Sequence, residues 1–176
     1  MQNIQILKCK NKIPFILIEV ENHHVLKDLI LSEILEMGQH SNIDKHQKIS
    51  NSDWFLPKEF FRSYFNYIEP VMKNVCHVVK ETMQYKHDIK VDNYWFQQYE
   101  YGDYHNWHAH GGALFSCVYY VDIDDKMPKT SFKLFDDEFE IGIKEGSVLV
   151  FPPFLNHCSK PNKSKKTKTV IAFNLL

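Results

Sequence analysis

The sequence is poor in cysteine and lacks any apolar run long enough to span a membrane. Its four cysteines lie at positions 9, 76, 117 and 158, and no two of them form a CxxC motif. This spacing favours free thiols in a reducing compartment over a disulfide framework. No apolar segment of the kind found in secretion signals follows Met1. We therefore expect a soluble cytoplasmic protein without a membrane partner.

The chain also has no excess of positive or negative charge. The formal net charge is −1, which gives no electrostatic reason to expect nucleic acid or a membrane surface as a partner. The short basic run Lys160–Lys168 is more typical of a solvated loop than of a polyanion site. Hydrophobic residues make up 44% of the chain and charged residues 24%, so one globular domain over residues 1–176 is predicted. Nothing in these features predicts an oligomeric state.

The first half of the chain predicts two short strands, a helix and a loop. The apolar runs Ile4–Leu7 and Pro14–Val20 are typical of strands. Apolar residues recur at helical spacing over Asn22–Met37, and Gly38 follows where a helix C-terminal cap belongs. Gln39–Asp53 is polar and aperiodic, which predicts a loop.

A second helical stretch is predicted from about Lys58 to Tyr85, with Pro70 beginning a new helix within it. Beyond residue 90, short segments rich in aromatic and β-branched residues are separated by Asp, Gly, Pro and Lys, a pattern typical of an antiparallel sandwich or barrel. The predicted strands are Val91–Tyr101, Ala113–Val121, Ser131–Phe135, Phe139–Ile143, Ser147–Phe151 and Thr169–Leu175. The fold class is therefore α+β, with residues 1–90 as mainly helical support on one face of a jelly roll formed by residues 91–176.

The chain contains ten histidines, and their placement suggests a metal site. If residues 107–110 are extended, His108 and His110 point to the same face of a strand, because strand side chains alternate. Far downstream, a buried strand and a proline turn precede His157. Three ligands on one face of an octahedral metal leave three positions open, enough for a chelating cosubstrate and dioxygen.

The remaining histidines offer an alternative to this triad. A rival site built from Asp103 and His105 remains open. We expect His105 to face the substrate or to support a ligand, because its strand parity differs from that of His108. Structural or exposed positions are expected for His23, His24, His40, His46, His77 and His87.

Four stretches of the second half resemble the 2-oxoglutarate–Fe(II) oxygenase family, which is related to prolyl 4-hydroxylases and is built on a double-stranded β-helix. They read, in chain order, Tyr-Gly-Asp-Tyr-His-Asn-Trp-His-Ala-His, Phe-Ser-Cys-Val-Tyr-Tyr-Val, Gly-Ser-Val-Leu-Val-Phe-Pro-Pro-Phe-Leu-Asn-His and Lys-Thr-Val-Ile-Ala-Phe-Asn. The resemblance extends from Trp95 to Asn174, and Ser-Asp-Trp at 52–54 is also similar to the family.

The resemblance implies a site that binds Fe(II) and 2-oxoglutarate. It makes His108 the first metal ligand and His157 the last, while His110 stands where most relatives carry Asp or Glu. A third imidazole leaves an Fe(II) site one positive charge higher than a carboxylate would. The distal carboxylate of the cosubstrate is expected to meet Lys168, with Lys166 as the competing position. Hydroxyl donors to the same carboxylate would be Tyr99 or Tyr104.

The expected reaction is hydroxylation of a C–H bond in a peptidyl residue or a small molecule, with release of succinate and CO2 and with ascorbate as a candidate reductant. Two alternatives stay open: a cupin-like three-histidine metalloenzyme that does not use 2-oxoglutarate, and a non-catalytic metal-binding module. The segments Gln39–Asp53 and Asp124–Thr130 are candidate substrate loops by position.

Overall fold

A computed structural model describes residues 3–8, 13–57 and 59–176, which form two helices and thirteen strands. The helices are α1 (His23–Glu36) and α2 (Phe65–Met83). The strands are β1 (Ile4–Lys8), β2 (Pro14–Glu19), β3 (Asn42–Ile43), β4 (Gln47–Ile49), β5 (Asn51–Ser52), β6 (Val91–Tyr99), β7 (Tyr104–His108), β8 (Phe115–Asp122), β9 (Thr130–Leu134), β10 (Asp137–Glu140), β11 (Ser147–Phe151), β12 (Asn156–Ser159) and β13 (Lys168–Leu175).

The strands form two antiparallel sheets that face each other. The larger sheet has seven strands in the order β1-β2-β11-β8-β13-β6-β5, and the smaller has six in the order β10-β9-β12-β7-β4-β3. Strands close in sequence, such as β11 and β12, belong to different sheets, so the chain passes repeatedly between them. This is the double-stranded β-helix, and the predicted fold class is confirmed.

Apolar side chains alternate between the two faces of the larger sheet and form two separate core clusters. On β2, Ile16 and Ile18 join a cluster with apolar side chains of both helices, such as Ile34 and Val75. The alternate residue Phe15 belongs instead to a second cluster between the sheets. Successive side chains of a strand point to opposite faces, so the helices cover the outer face of the larger sheet and the second cluster fills the barrel.

The helix predictions are confirmed except at Pro70. Helix α1 lies within the predicted range, and Gly38 follows it with φ of +81°. Pro70 was expected to begin a helix, but it lies inside α2, five residues after the helix begins. A proline there removes one backbone hydrogen bond. The buried stripe that includes Ile68, Met72 and Val75 offsets that loss.

The first ninety residues contribute more than helical support, which corrects the prediction. Strands β1 and β2 extend the larger sheet, and the segment Gln39–Asp53, predicted to be a loop, contains β3, β4 and β5. These three strands are two or three residues long, too short for alternation to show in the sequence. Cys76, Cys117 and Cys158 are free thiols, and Cys9 lies outside the described residues. Within the described part of the chain, no helix is long and apolar enough to cross a membrane.

Candidate metal centre

Two neighbouring strands of the smaller sheet and a proline turn bring the three predicted histidines together. Strand β7 pairs with β12 so that His108 lies directly opposite His157. Strand β7 ends at His108, so His110 lies beyond it and not on an extended strand as expected. The backbone N–H of His110 instead donates to the carbonyl of Pro153 at 2.9 Å. The turn that precedes His157 therefore also holds His110 beside it.

The three imidazoles can supply one nitrogen each to a common ion. Their potential ligand atoms all lie within 4.8 Å of one another. The ring centroids of His108 and His157 are 4.2 Å apart, and that of His110 is 5.4 Å and 5.1 Å from them. Among the described residues, this is the one group of three potential ligands with metal-binding spacing.

Hydrogen bonds fix which nitrogen each ring offers. Nδ1 of His108 lies 2.8 Å from the carbonyl oxygen of Asn106, and Nδ1 of His157 lies 2.9 Å from that of Leu155. Nδ1 of His110 lies 3.0 Å from Oδ1 of Asn174. An oxygen of this kind only accepts, so each Nδ1 carries the proton and each Nε2 keeps its lone pair. Three imidazoles with free Nε2 atoms fit a divalent transition metal.

Burial keeps the triad neutral, which is the metal-binding form of imidazole. Burial first, and then the neighbouring His108, lower the pKa of His157 to about 3. Burial also lowers the pKa of His108 and of His110. At neutral pH, no proton therefore has to leave before these rings can bind an ion.

His105 lies against the triad, contrary to what strand parity suggests. The pairing of β7 with β12 shifts between His157 and Ser159, because Ser159 lies opposite His105 while His157 lies opposite His108. Three steps along β7 thus match two along β12. This β-bulge breaks the alternation of side chains. His105 can then stack on His108, with ring centroids 3.9 Å apart and planes inclined by 16°.

Asp103 does not form the rival site with His105. Its buried carboxylate accepts hydrogen bonds from the backbone N–H of Ser50 and of Glu100, both at 2.9 Å. Nζ of Lys48 lies 3.0 Å from its other oxygen. Burial raises the pKa of Asp103, but these contacts outweigh that effect and lower it overall. Asp103 therefore holds β4 and its flanking turn against β7.

Behind the triad, the interior of the barrel contains a buried lysine. The side chains of Lys168 and Tyr99 line one cavity with the three histidines, which we call the inner cavity. Nζ of Lys168 donates to the carbonyl of Pro128 at 2.8 Å and to Oγ of Ser159 at 2.9 Å, and lies 5.1 Å from the ring centroid of Tyr99. Among the described residues, no carboxylate forms an ion pair with it.

Burial of Lys168 has a large electrostatic consequence. Its side chain is 2% exposed, and burial, followed by the ammonium of Lys129, lowers its pKa from 10.5 to about 7. A buried ammonium without a carboxylate partner is costly, and it fits an anionic ligand that would supply the missing charge. The competing Lys166 is exposed.

The predicted tyrosines have different surroundings. The hydroxyl of Tyr99 is buried beside Lys168 and donates to Oε1 of Gln97 at 2.9 Å. Burial raises its pKa well above the ordinary value, so it stays a neutral hydroxyl. Tyr104 does not line the inner cavity but a different groove, together with Trp107 and Lys160.

A second opening, which we call the mouth groove, leads from the triad to solvent. It has a volume of about 370 Å³. Trp54 and Trp95 form one part of its wall, with ring centroids 4.4 Å apart. Its other lining residues include His105, His108, His110, Asn42, Gln47, Asp92, Gly111, Gly112 and Asn174. The Ser-Asp-Trp stretch at 52–54 thus brings Trp54 to the site, because the buried carboxylate of Asp53 accepts the backbone N–H of Phe96 at 2.8 Å.

Solved structures share this fold. The viral collagen prolyl hydroxylase of Paramecium bursaria Chlorella virus-1, in its 2OG complex, superposes with a TM-score of 0.69 at 16% identity, covering 92% of this chain and 94% of that one. A prolyl hydroxylase of Trichoplax adhaerens, in complex with a hypoxia-inducible factor oxygen degradation domain peptide fragment, gives 0.69 at 13% identity, covering 92% and 83%. The non-haem α-ketoglutarate-dependent epimerase SnoN of nogalamycin biosynthesis gives 0.68 at 7% identity, covering 92% and 77%.

These likenesses establish the fold. No family model matches the sequence, and no curated protein matches it. The fold is that of the 2-oxoglutarate–Fe(II) oxygenases, as the sequence resemblance predicted, and it presents a triad of histidines inside the barrel.

Proposed function

We propose that this protein is an Fe(II)- and 2-oxoglutarate-dependent oxygenase. One observation carries the proposal: three neutral imidazoles with free Nε2 atoms converge beside a buried ammonium that has no carboxylate partner among the described residues. A cation-binding group and an anion-binding group then face one cavity. The charges of a dianionic oxoacid are complementary to this cavity, because one end can chelate a metal while the carboxylate at the other end contacts Lys168.

Each residue of the inner cavity has a defined task in this proposal. His108, His110 and His157 hold Fe(II), and Lys168 binds the distal carboxylate of 2-oxoglutarate in place of its bonds to Pro128 and Ser159. Tyr99 contacts the same carboxylate by exchanging its bond to Gln97. When bound, Fe(II) with 2-oxoglutarate and O2 supplies the oxidation, in which substrate–H, 2-oxoglutarate and O2 give substrate–OH, succinate and CO2.

The substrate is proposed to enter through the mouth groove, which opens beside His108 and His110. Its wall combines two indole rings with amide side chains and the carboxylate of Asp92, and no lysine or arginine of the described residues lines it. Such a wall suits a neutral side chain of a peptide or an uncharged small molecule better than a phosphate-bearing substrate. Two of the structural neighbours are named as prolyl hydroxylases, one of them in complex with a peptide fragment.

The first experiment measures succinate released by the purified protein with Fe(II), 2-oxoglutarate, O2 and ascorbate, together with metal content. His108→Ala and His157→Ala are each expected to lower succinate formation at least about 100-fold, the effect of losing a metal ligand. His87→Ala is the matched control, because this histidine is exposed and lies outside both cavities. Iron-dependent turnover that survives in both ligand variants would refute the assignment.

The all-histidine donor set supports a second candidate, a three-histidine dioxygenase that does not use 2-oxoglutarate. Here the anion facing Lys168 would be the substrate itself. Oxygen uptake that depends on iron but not on 2-oxoglutarate would favour this candidate. Succinate formation coupled one-to-one to oxygen uptake would exclude it.

A further inference from the structure

We propose that Asn174 is the positioning residue that makes His110 a metal ligand in this chain. The inference rests on the proposed metal centre and deepens it. It concerns the position where the resembled family most often carries a carboxylate. A carboxylate can bind a metal through either oxygen, but an imidazole must present the correct nitrogen in the correct ring orientation.

His110 differs from the other two ligands in how its ring is oriented. His108 and His157 each donate Nδ1–H to the backbone carbonyl two residues earlier, so the adjacent backbone fixes each ring. His110 lies beyond the end of β7 and uses a side chain 64 positions away instead. Asn174 belongs to β13 in the opposite sheet, so this bond joins the two sheets at the site.

Asn174 is itself buried and is fixed by a hydrogen-bond network that ends at the exposed carboxylate of Asp92. Its side chain is 6% exposed, and Oδ1 accepts from Oγ of Ser116 at 2.9 Å as well as from His110. Its amide nitrogen donates to Oδ1 of Asn93 at 2.8 Å, and the Asn93 amide nitrogen donates to the Asp92 carboxylate at 3.1 Å. Because Nδ2 already has an acceptor, the oxygen of Asn174 must face His110. His110 is therefore held with its proton on Nδ1 and its lone pair on Nε2.

The network also acts on the strength of the ligand. A chain of donors that ends on a carboxylate polarises the Nδ1–H bond and raises the basicity of the opposite nitrogen. On the side of the ring, Trp95 lies nearly parallel to His110, with centroids 6.1 Å apart and planes inclined by 17°. The surroundings of His110 thus orient an imidazole ligand and raise its basicity. A carboxylate at this position would not need this support.

The test titrates the purified protein with Co(II) and follows its visible ligand-field spectrum and dissociation constant. Asn174→Leu removes the acceptor at similar volume, and it is expected to weaken Co(II) binding about 10- to 100-fold and to change the spectrum. Asn174→Asp keeps an acceptor and is expected to bind Co(II) with an affinity within about threefold of the wild type. Asn51→Leu is the matched control, because Asn51 is a buried amide that bonds to His40 and Gln98, away from both cavities.

A second background separates positioning from general damage to the fold. In His110→Asp there is no imidazole to orient, so Asn174→Leu is expected to change Co(II) affinity less than about twofold there. An equal loss in both backgrounds, or no loss in the histidine background, would overturn the role of Asn174 alone. Failure of the wild-type protein to bind Co(II) would overturn the metal centre itself and this inference with it.

Discussion

At the scale of single residues, Lys168 is where the needs of stability and of the proposed function conflict. Its ammonium is buried among aromatic and polar groups with one carbonyl and one hydroxyl as hydrogen-bond partners. The lowered pKa means that the folded protein holds this proton less tightly than the unfolded chain does. The charge is therefore a cost to the ligand-free fold, which an anionic ligand would remove.

We predict that Lys168→Met stabilises the ligand-free protein at neutral pH while abolishing 2-oxoglutarate-dependent succinate formation. With a folded pKa of about 7 and an ordinary value of 10.5, the unfolded chain binds more protons between these two pH values. Wild-type stability should then rise with pH across that interval, by at most about 1.4 kcal/mol per pH unit from this group. Below pH 7 the full cost of the charge remains.

Urea unfolding of the metal-free proteins at several pH values from 6 to 10 measures this effect. The advantage of Lys168→Met should be largest at the low end and shrink as pH rises. Lys166→Met is the control, since the exposed Lys166 should give no such trend. A variant that is less stable than the wild type at pH 6 would contradict the stated cost of the buried charge.

Strand parity in the sequence was sufficient to predict some of these residues. The i, i+2 rule puts Lys168 on the same face of β13 as Val170 and Ala172, and all three line the inner cavity. Parity alone did not predict the stacking of His105 on His108, because the bulge in β7 depends on pairing with β12, which is distant in sequence. The hydrogen bond between His110 and Asn174 could not be predicted from the sequence either, because it forms only when the two sheets pack face to face.

At the scale of elements, long periodic segments were predictable and short ones were not. Helix α1 and the strand Ser147–Phe151 match their predicted ranges closely because many residues repeat the same pattern. The three strands within Gln39–Asp53 have no period to detect. Strands β4 and β5 form along the edges of β7 and β6, and β3 pairs with β4. The prediction at Pro70 was wrong because tertiary packing of α2 outweighs the local tendency of proline to interrupt a helix.

The turn before β11 carries an element-scale prediction. Gly146 has φ of +80°, and a Cβ there would lie 2.8 Å from Cγ of His23 at the start of α1. His23 cannot easily move, because its Nδ1 is 2.8 Å from the hydroxyl of Tyr119. Gly146→Ala should therefore destabilise the protein by about 1–3 kcal/mol in urea unfolding.

The matched control for this turn is Gly142→Ala. Gly142 has no positive φ, and a Cβ there would meet no atom within 4 Å. We expect its stability to stay within about 0.5 kcal/mol of the wild type. Equal effects of the two substitutions would show that the contact between Gly146 and His23 does not constrain α1.

At the scale of the whole molecule, the candidate site lies where the two sheets meet. The smaller sheet supplies His108 and His157, the larger supplies Lys168 and Asn174, and His110 bridges them through the Pro153 carbonyl and Asn174. A metal held by the triad would therefore add a link between elements whose ligands are distant in sequence. Such a link stabilises the folded state by mass action when the ion binds only that state.

This arrangement predicts how stability depends on pH without metal. His157 has a folded pKa of about 3 against an ordinary value of 6.5, so between these values the unfolded chain binds the additional proton. The metal-free protein should lose stability as pH falls from 6.5 toward 4, with up to about 1.4 kcal/mol per pH unit from His157 alone. His157→Gln, unfolded by urea in the presence of a chelator, should show a shallower loss than the wild type.

Loading with Co(II) should raise stability above this metal-free baseline. At pH 7 the ion should raise the unfolding midpoint, because the imidazoles are already neutral and no proton competes. Toward pH 5 this gain should persist, because burial lowers the pKa of all three imidazoles and protons compete with the ion only as pH approaches those lowered values. His157→Gln should show little gain at either pH. A Co(II)-induced gain that His157→Gln retains in full would mean that the ion binds through groups other than these histidines.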